Sequence, residues 1–216
     1  MAGKLLNLQQ AIAIHPQHVP SEATTIYIKH HSRSASRGDF TVSTCPHKLT
    51  TPETKLFSMA SILASWRQRR SVRDASDQPL YDLRREATGV TWSAYLPGQE
   101  EHPVVTIAPR LSWLKDKMDV YVKNAAGDGQ EVLLEVRGQD VWKIMTHVFV
   151  DGALVMVIRR LDFMSAYIPV KGFEWKIEVA GGLDLSLVLL IISVMADIMY
   201  YSSPESSYKG SNQQDN

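Results

Sequence analysis

Residues 185–200 constrain this chain more than any other stretch. They read Leu-Ser-Leu-Val-Leu-Leu-Ile-Ile-Ser-Val-Met-Ala-Asp-Ile-Met-Tyr, with twelve aliphatic or methionine side chains in sixteen positions. At 100° per residue, Ser186, Ser193 and Asp197 fall on one narrow stripe with Leu190 beside it, and apolar groups cover the rest of the circumference. Asp184, after Gly181-Gly182-Leu183, is placed as an N-cap whose carboxylate accepts from the first free backbone N–H groups. A helix apolar nearly all round must be enclosed by lipid or by protein. A bilayer core asks for about twenty mostly apolar residues. Asp184 and Asp197 leave only twelve positions between them, and a centred span draws Asp197 into hydrocarbon at a cost of several kcal/mol. The other enclosure is a closed β-barrel of about a dozen strands, wide enough to hold a helix. Such a helix presents Leu187, Leu190, Ile191, Val194 and Ile198 to its sheath.

The chain before it supplies the strands. Phe173, Trp175, Ile177 and Val179 alternate with Glu174, Lys176 and Glu178, so one face is buried and one is wet. Val132, Leu134 and Val136 alternate with Glu131, Glu135 and Arg137, and Met118, Val120 and Val122 repeat the pattern. Further strands are read at 24–29, 40–44, 55–62, around Val72, and at 80–85, 90–95, 104–108, 141–150 and 153–160, roughly eleven in all. Asp151-Gly152 is a hairpin dipeptide that supplies positive φ cheaply, 74–79 is a second reversal, and 124–130 a third. These readings predict an antiparallel, mainly β domain over 24–200 with a central helix at 185–200. An irregular arm at 1–23, a solvated loop at 30–38 and a disordered tail at 201–216 complete the organisation.

Composition narrows the function classes. The chain has 216 residues, 44% of them hydrophobic and 21% charged, which suits one domain with a real core. Its 23 basic and 23 acidic residues cancel, which argues against nucleic acid as the partner. Cys45 is the only cysteine, so there is no internal disulfide. Residues 1–20 hold no continuous apolar core for a secretory signal, and neither a myristoylation nor a prenylation pattern is present. The expected location is cytoplasmic, with peripheral membrane or nuclear association as variants.

No G-x-S-x-G elbow, Walker A loop or H-E-x-x-H motif occurs, so no catalytic residue is assigned and a non-enzymatic protein is expected. Tyr121 and Lys123 stand where a calcium loop over 119–131 requires oxygen ligands. His15, His18, His30, His31, Cys45 and His47 lie within 33 residues but match no zinc spacing; neither metal nor cofactor is assigned. Residues 29–73 carry nine bases against Asp39 and Glu53, a net +7. Arg67, Arg69, Arg70, Arg73, Arg84, Arg85, Arg159 and Arg160 are the candidates for meeting an anionic surface, each basic residue near such a membrane contributing about 1 kcal/mol. Adjacent strand residues face opposite ways, so no arginine pair presents both side chains to one ligand. Trp175 lies on the core phase of its strand, and Met145, Met156, Met164 and Met195 read as filling.

Several of these residues also carry a resemblance. Asp74-x4-Pro79-Leu80-x2-Leu83-Arg84-Arg85, Trp92, Val136-Arg137-Gly138, Ile158-Arg159-Arg160 and Trp175-Lys-Ile-Glu-Val179-Ala-Gly-Gly-Leu-Asp184, in that order and leading into the apolar helix, resemble the LURP-one-related family of the tubby C-terminal-like superfamily. That superfamily also includes the phospholipid scramblase-like proteins. The resemblance implies a twelve-stranded antiparallel barrel around a C-terminal helix. It departs at Asp77, where the family has glycine, and over 98–117, which fits loosely. By the same resemblance, phosphoinositide or anionic phospholipid head groups are the leading ligands. A protein-interaction or stress and defence module without a lipid ligand is the second reading, and a scramblase-like membrane protein whose helix inserts is the third.

Overall fold

The structure is a computed structural model that describes residues 5–31, 39–45, 54–62, 68–87, 89–110, 117–140, 144–161 and 173–201, the side chains of 199–201 excepted. Arg67, Trp66, Trp113, Trp142, Met164, His47, most of the loop expected at 30–38 and the tail beyond 201 lie outside the described residues.

Twelve antiparallel strands close into a barrel in which each strand pairs with its neighbours in sequence and β1 pairs with β12. They are β1 (Thr24–His31), β2 (Asp39–Ser43), β3 (Lys55–Ser61), β4 (Arg70–Asp74), β5 (Pro79–Arg85) and β6 (Trp92–Tyr95), followed by β7 (Val105–Arg110), β8 (Lys117–Lys123), β9 (Glu131–Gly138), β10 (Met145–Val150), β11 (Ala153–Arg160) and β12 (Glu174–Val179). An even strand count lets the first and last strands meet antiparallel, so no edge is left to recruit another chain. The seam sets Ile26 opposite Ile177 and Ile28 opposite Trp175, all four buried. Alternation thus puts one apolar face of every strand inside. β1 runs on to His31, so His30 and His31, expected in a solvated loop, are strand residues; His30 is buried between Phe40 and Phe173.

The helix α1 (Leu185–Tyr201) occupies the interior, and residues 186–196 are buried without a break. Leu187, Leu190, Ile191 and Val194 are fully enclosed, and Ile198 packs partly buried against the same core. Protein therefore replaces lipid as the helix's surroundings. Among the described residues, no helix is long and apolar enough to cross a membrane. The polar stripe finds partners inside. Ser186 Oγ meets Tyr81 OH at 2.9 Å and donates to Asp184, while Ser193 Oγ donates to the Leu190 carbonyl. Burial, reinforced by the Asp184 carboxylate, pushes the Tyr81 phenol well above its ordinary pKa and keeps it protonated.

The turns follow their residues. Asp151 and Gly152 both take positive φ, 48° and 79°, as the hairpin requires. Asp77 also has positive φ, 64°, so aspartate fills a left-handed position in the β4–β5 turn.

The antiparallel meander gives the barrel two distinct ends. At the end where α1 begins, residues 5–23 lie across the opening with ordered contacts rather than as a loose arm. Ile12 bridges Leu183 in parallel; its N–H donates to the Gly182 carbonyl and its own carbonyl accepts from Asp184 N–H. Asp184 caps α1 through Ser186 N–H at 2.8 Å, and its other oxygen accepts from Ile14 and His15 N–H. Asn124, buried in the β8–β9 turn, accepts from Ala13 N–H and donates to the Ala11 carbonyl. The other end is where α1 finishes and the odd-numbered strands terminate.

Candidate anion-binding surface

The seven candidate arginines that the structure describes do not form one patch. Arg70 is a correction. It is buried, on the inward phase of β4, and its guanidinium pairs with Asp197 Oδ1 at 2.5 Å and donates to the Ser193 carbonyl at 3.1 Å. It lies 5.0 Å from the Trp92 ring centre and ties the wall of the barrel to the C-terminal half of α1. Arg160 is likewise buried, 5.8 Å from the Phe173 ring centre. Arg85, half-buried, shares the inward phase of Leu83; its charge reaches Asp197 and it donates to the Gly89 carbonyl. The physical reason is the one that forbade paired presentation: successive strand residues alternate, and in all three doublets the second arginine turns inward.

The outward members are mostly neutralised. Arg69 and Arg84 converge on Asp82 and Glu100, Arg84 meeting both at 2.7 Å. Arg73 folds back to the Asp77 carbonyl at 2.9 Å. Of the seven that the structure describes, Arg159 alone stands exposed, on the outer face of β11, six strands from β5 in a ring of twelve. The basic run in the sequence therefore yields no continuous positive surface among the described residues.

A different set of bases is brought together by strand pairing. Register places Arg110 of β7 opposite Lys117 of β8, Lys117 opposite Arg137 of β9, and Arg137 opposite His147 of β10. Between β10 and β11 the row is offset: His147 faces Val157, and Arg159, two residues nearer the rim, stands opposite Lys176 of β12. Five bases and a histidine thus cross six consecutive strands on the outer face, toward the end where α1 finishes. Asp119, Glu135 and Glu178 are interleaved: Asp119 binds Arg110 at 2.7 Å and Arg137 at 2.9 Å, Glu135 binds Arg137, and Glu178 binds Lys176 at 2.8 Å. Positive charge remains in excess, and like charges directly opposite on adjacent strands are destabilising unless a counter-charge approaches.

Titration reflects that field. Burial of Asp119 opposes its ionisation, but hydrogen bonds from Arg110 and Arg137 outweigh it and hold the carboxyl below its ordinary range. The hydrogen bond from Lys176 lowers Glu178, with Arg159 adding to the effect. Burial, then the charge of Arg159, lowers His147 below the ordinary imidazole value, so it is neutral at pH 7. Arg110, Lys117, Arg137 and Lys176 were missed at the level of sequence because 66 positions separate the first from the last. Only strand register makes them neighbours. The nearest available signal was a base on the outward phase of several alternating strands.

Among the described residues, no group of three or more His, Cys, Asp or Glu is arranged to hold a metal ion. His15 and His18 approach, with ring centres 5.6 Å apart, but His15 lies edge-on to Tyr81 and His18 edge-on to Phe57.

A closed twelve-stranded antiparallel barrel wrapped round a C-terminal apolar helix is a tubby-like domain. The family model described as LURP-one-related matches residues 24–196, and the chain belongs to that family. A solved X-ray structure of an Arabidopsis thaliana protein is similar in fold, with a TM-score of 0.58 at 14% identity, covering 87% of this chain and 98% of that one. No match was found among curated proteins.

Proposed function

We propose that this tubby-like domain is a non-enzymatic protein that attaches to membrane surfaces by binding anionic phospholipid head groups, phosphoinositides included. The observation that carries the reading is the basic band across β7–β12, in which Lys117 stands between Arg110 and Arg137 and Arg159 stands beside Lys176. A phosphate-bearing surface supplies the counter-charge this band lacks. The barrel interior, by contrast, is occupied by α1, which leaves the outer surface as the place for recognition.

The test is co-sedimentation with phosphatidylcholine vesicles, with and without phosphatidylserine or a phosphoinositide, at two ionic strengths. Binding should require the anionic lipid and weaken with salt. Lys117→Gln with Arg159→Gln should cost about 2 kcal/mol together, roughly thirtyfold in partitioning. Equal indifference to every vesicle would sink the proposal and favour a protein-interaction module.

A further inference from the structure

We infer that the barrel meets the bilayer end-on, through the rim at which α1 finishes; this rests on the lipid reading above. Five large apolar side chains are exposed among the described residues, and three of them, Ile62, Val90 and Leu161, lie on that one rim. Ile62 follows the end of β3, Val90 sits between β5 and β6, and Leu161 follows the end of β11. Each is close to half exposed, at 45%, 46% and 46%. They are spread round the ring, with four strand steps from β3 to β11 through the β1–β12 seam. No single groove or side-on partner touches all three. A plane across the barrel axis does, and a bilayer surface is such a plane, soft enough to admit each side chain separately.

Charge commits the occupant to an anionic lipid surface. Lys117 opens β8 and Arg159 nearly ends β11, so the basic band reaches the same rim and Arg159 stands two residues from Leu161. Apolar side chains entering at the interface while flanking bases hold head groups is the arrangement by which peripheral proteins bind membranes. The opposite opening is occupied by residues 5–23, hydrogen-bonded to Gly181, Gly182 and Asp184.

The experiment uses the full chain and vesicles of phosphatidylcholine and phosphatidylserine in equal parts. A triple variant, Ile62→Asp, Val90→Asp and Leu161→Asp, should lose roughly tenfold or more in partitioning. Leu133→Asp, on the barrel wall, should bind as wild type does. Circular dichroism of each variant is the check that it is folded. Independently, an environment-sensitive dye on Leu161→Cys in a Cys45→Ser background should shift to the blue on adding vesicles, and the same dye on Leu133→Cys should not. If wild type binds but the triple variant binds equally, or the Leu133 dye responds and the Leu161 dye does not, end-on docking is overturned and the lipid reading stands. If wild type binds no vesicle, both fall. A concentration-dependent dimer abolished by the triple variant, without vesicle binding, would assign the rim to a second copy of the chain.

Discussion

Arg70 and Asp197 come from positions 127 residues apart and meet inside the barrel wall in the C-terminal half of α1. Burial pushes the Asp197 carboxyl above its ordinary value, against the opposing charges of Arg70, His30 and Arg85. Taking one partner away leaves the other charge buried, so Asp197→Ala should cost about 3–5 kcal/mol in urea unfolding. The double change Arg70→Met with Asp197→Leu should be close to neutral; if it costs as much as the single, the pair is not acting as a unit. His147 supplies a pH test. Its folded pKa lies below the unfolded value of about 6.5, so below that value the unfolded chain takes up protons that the native state resists. Its contribution is full above the unfolded pKa and is lost as pH falls through the folded one. His18, lowered mainly by burial, acts in the same direction. Wild-type stability should therefore fall as pH drops from 7 to 5 (a window about the ordinary imidazole value), and His147→Gln should flatten part of that slope in a pH series of denaturation curves.

At the scale of elements, the entry to α1 is a junction of three segments. Gly181 passes so close to the arm that an added Cβ would stand 2.6 Å from the Ser21 carbonyl oxygen, and Gly182 has φ of +94° beside Leu8. Asp184 then serves both the helix and the arm, receiving Ser186 N–H and Oγ on one oxygen and Ile14 and His15 N–H on the other. Asp184→Ala should consequently cost more than the ~1 kcal/mol of an ordinary N-cap. Hydrogen exchange should also accelerate at Ile14 and His15; unchanged exchange there would show that the arm is held by other contacts. The cap was readable from Asp184 following two glycines, and the strands from alternation broken by turn residues such as Asp151-Gly152. The order of the arm was not readable. Its partners, Asn124, Gly181, Gly182 and Asp184, lie more than 100 residues away, and its own sequence has neither period, so nothing local distinguishes a strap from a loose end.

For the whole molecule, enclosure of α1 couples its exposure to the opening of the barrel. Under native conditions the amides of residues 188–196 should exchange only through global unfolding, with a free energy equal to that from denaturant curves; faster exchange would mean that the helix can leave an intact barrel. The same closure explains what the surface withheld at the level of sequence. Arginine doublets look like a concentrated charge in one dimension, yet the pleat sends Arg70 and Arg160 inward, while Arg110, Lys117 and Arg137, unremarkable along the chain, become a row once strands are paired. Closure also dictates how the protein must be made. Translation delivers β12 after the other eleven strands and α1 after that, so a growing chain holds a nearly complete set of greasy inward faces before their filling exists. A sheet sealed before α1 emerged would close round an unfilled interior, so the wall is expected to close together with its final segment.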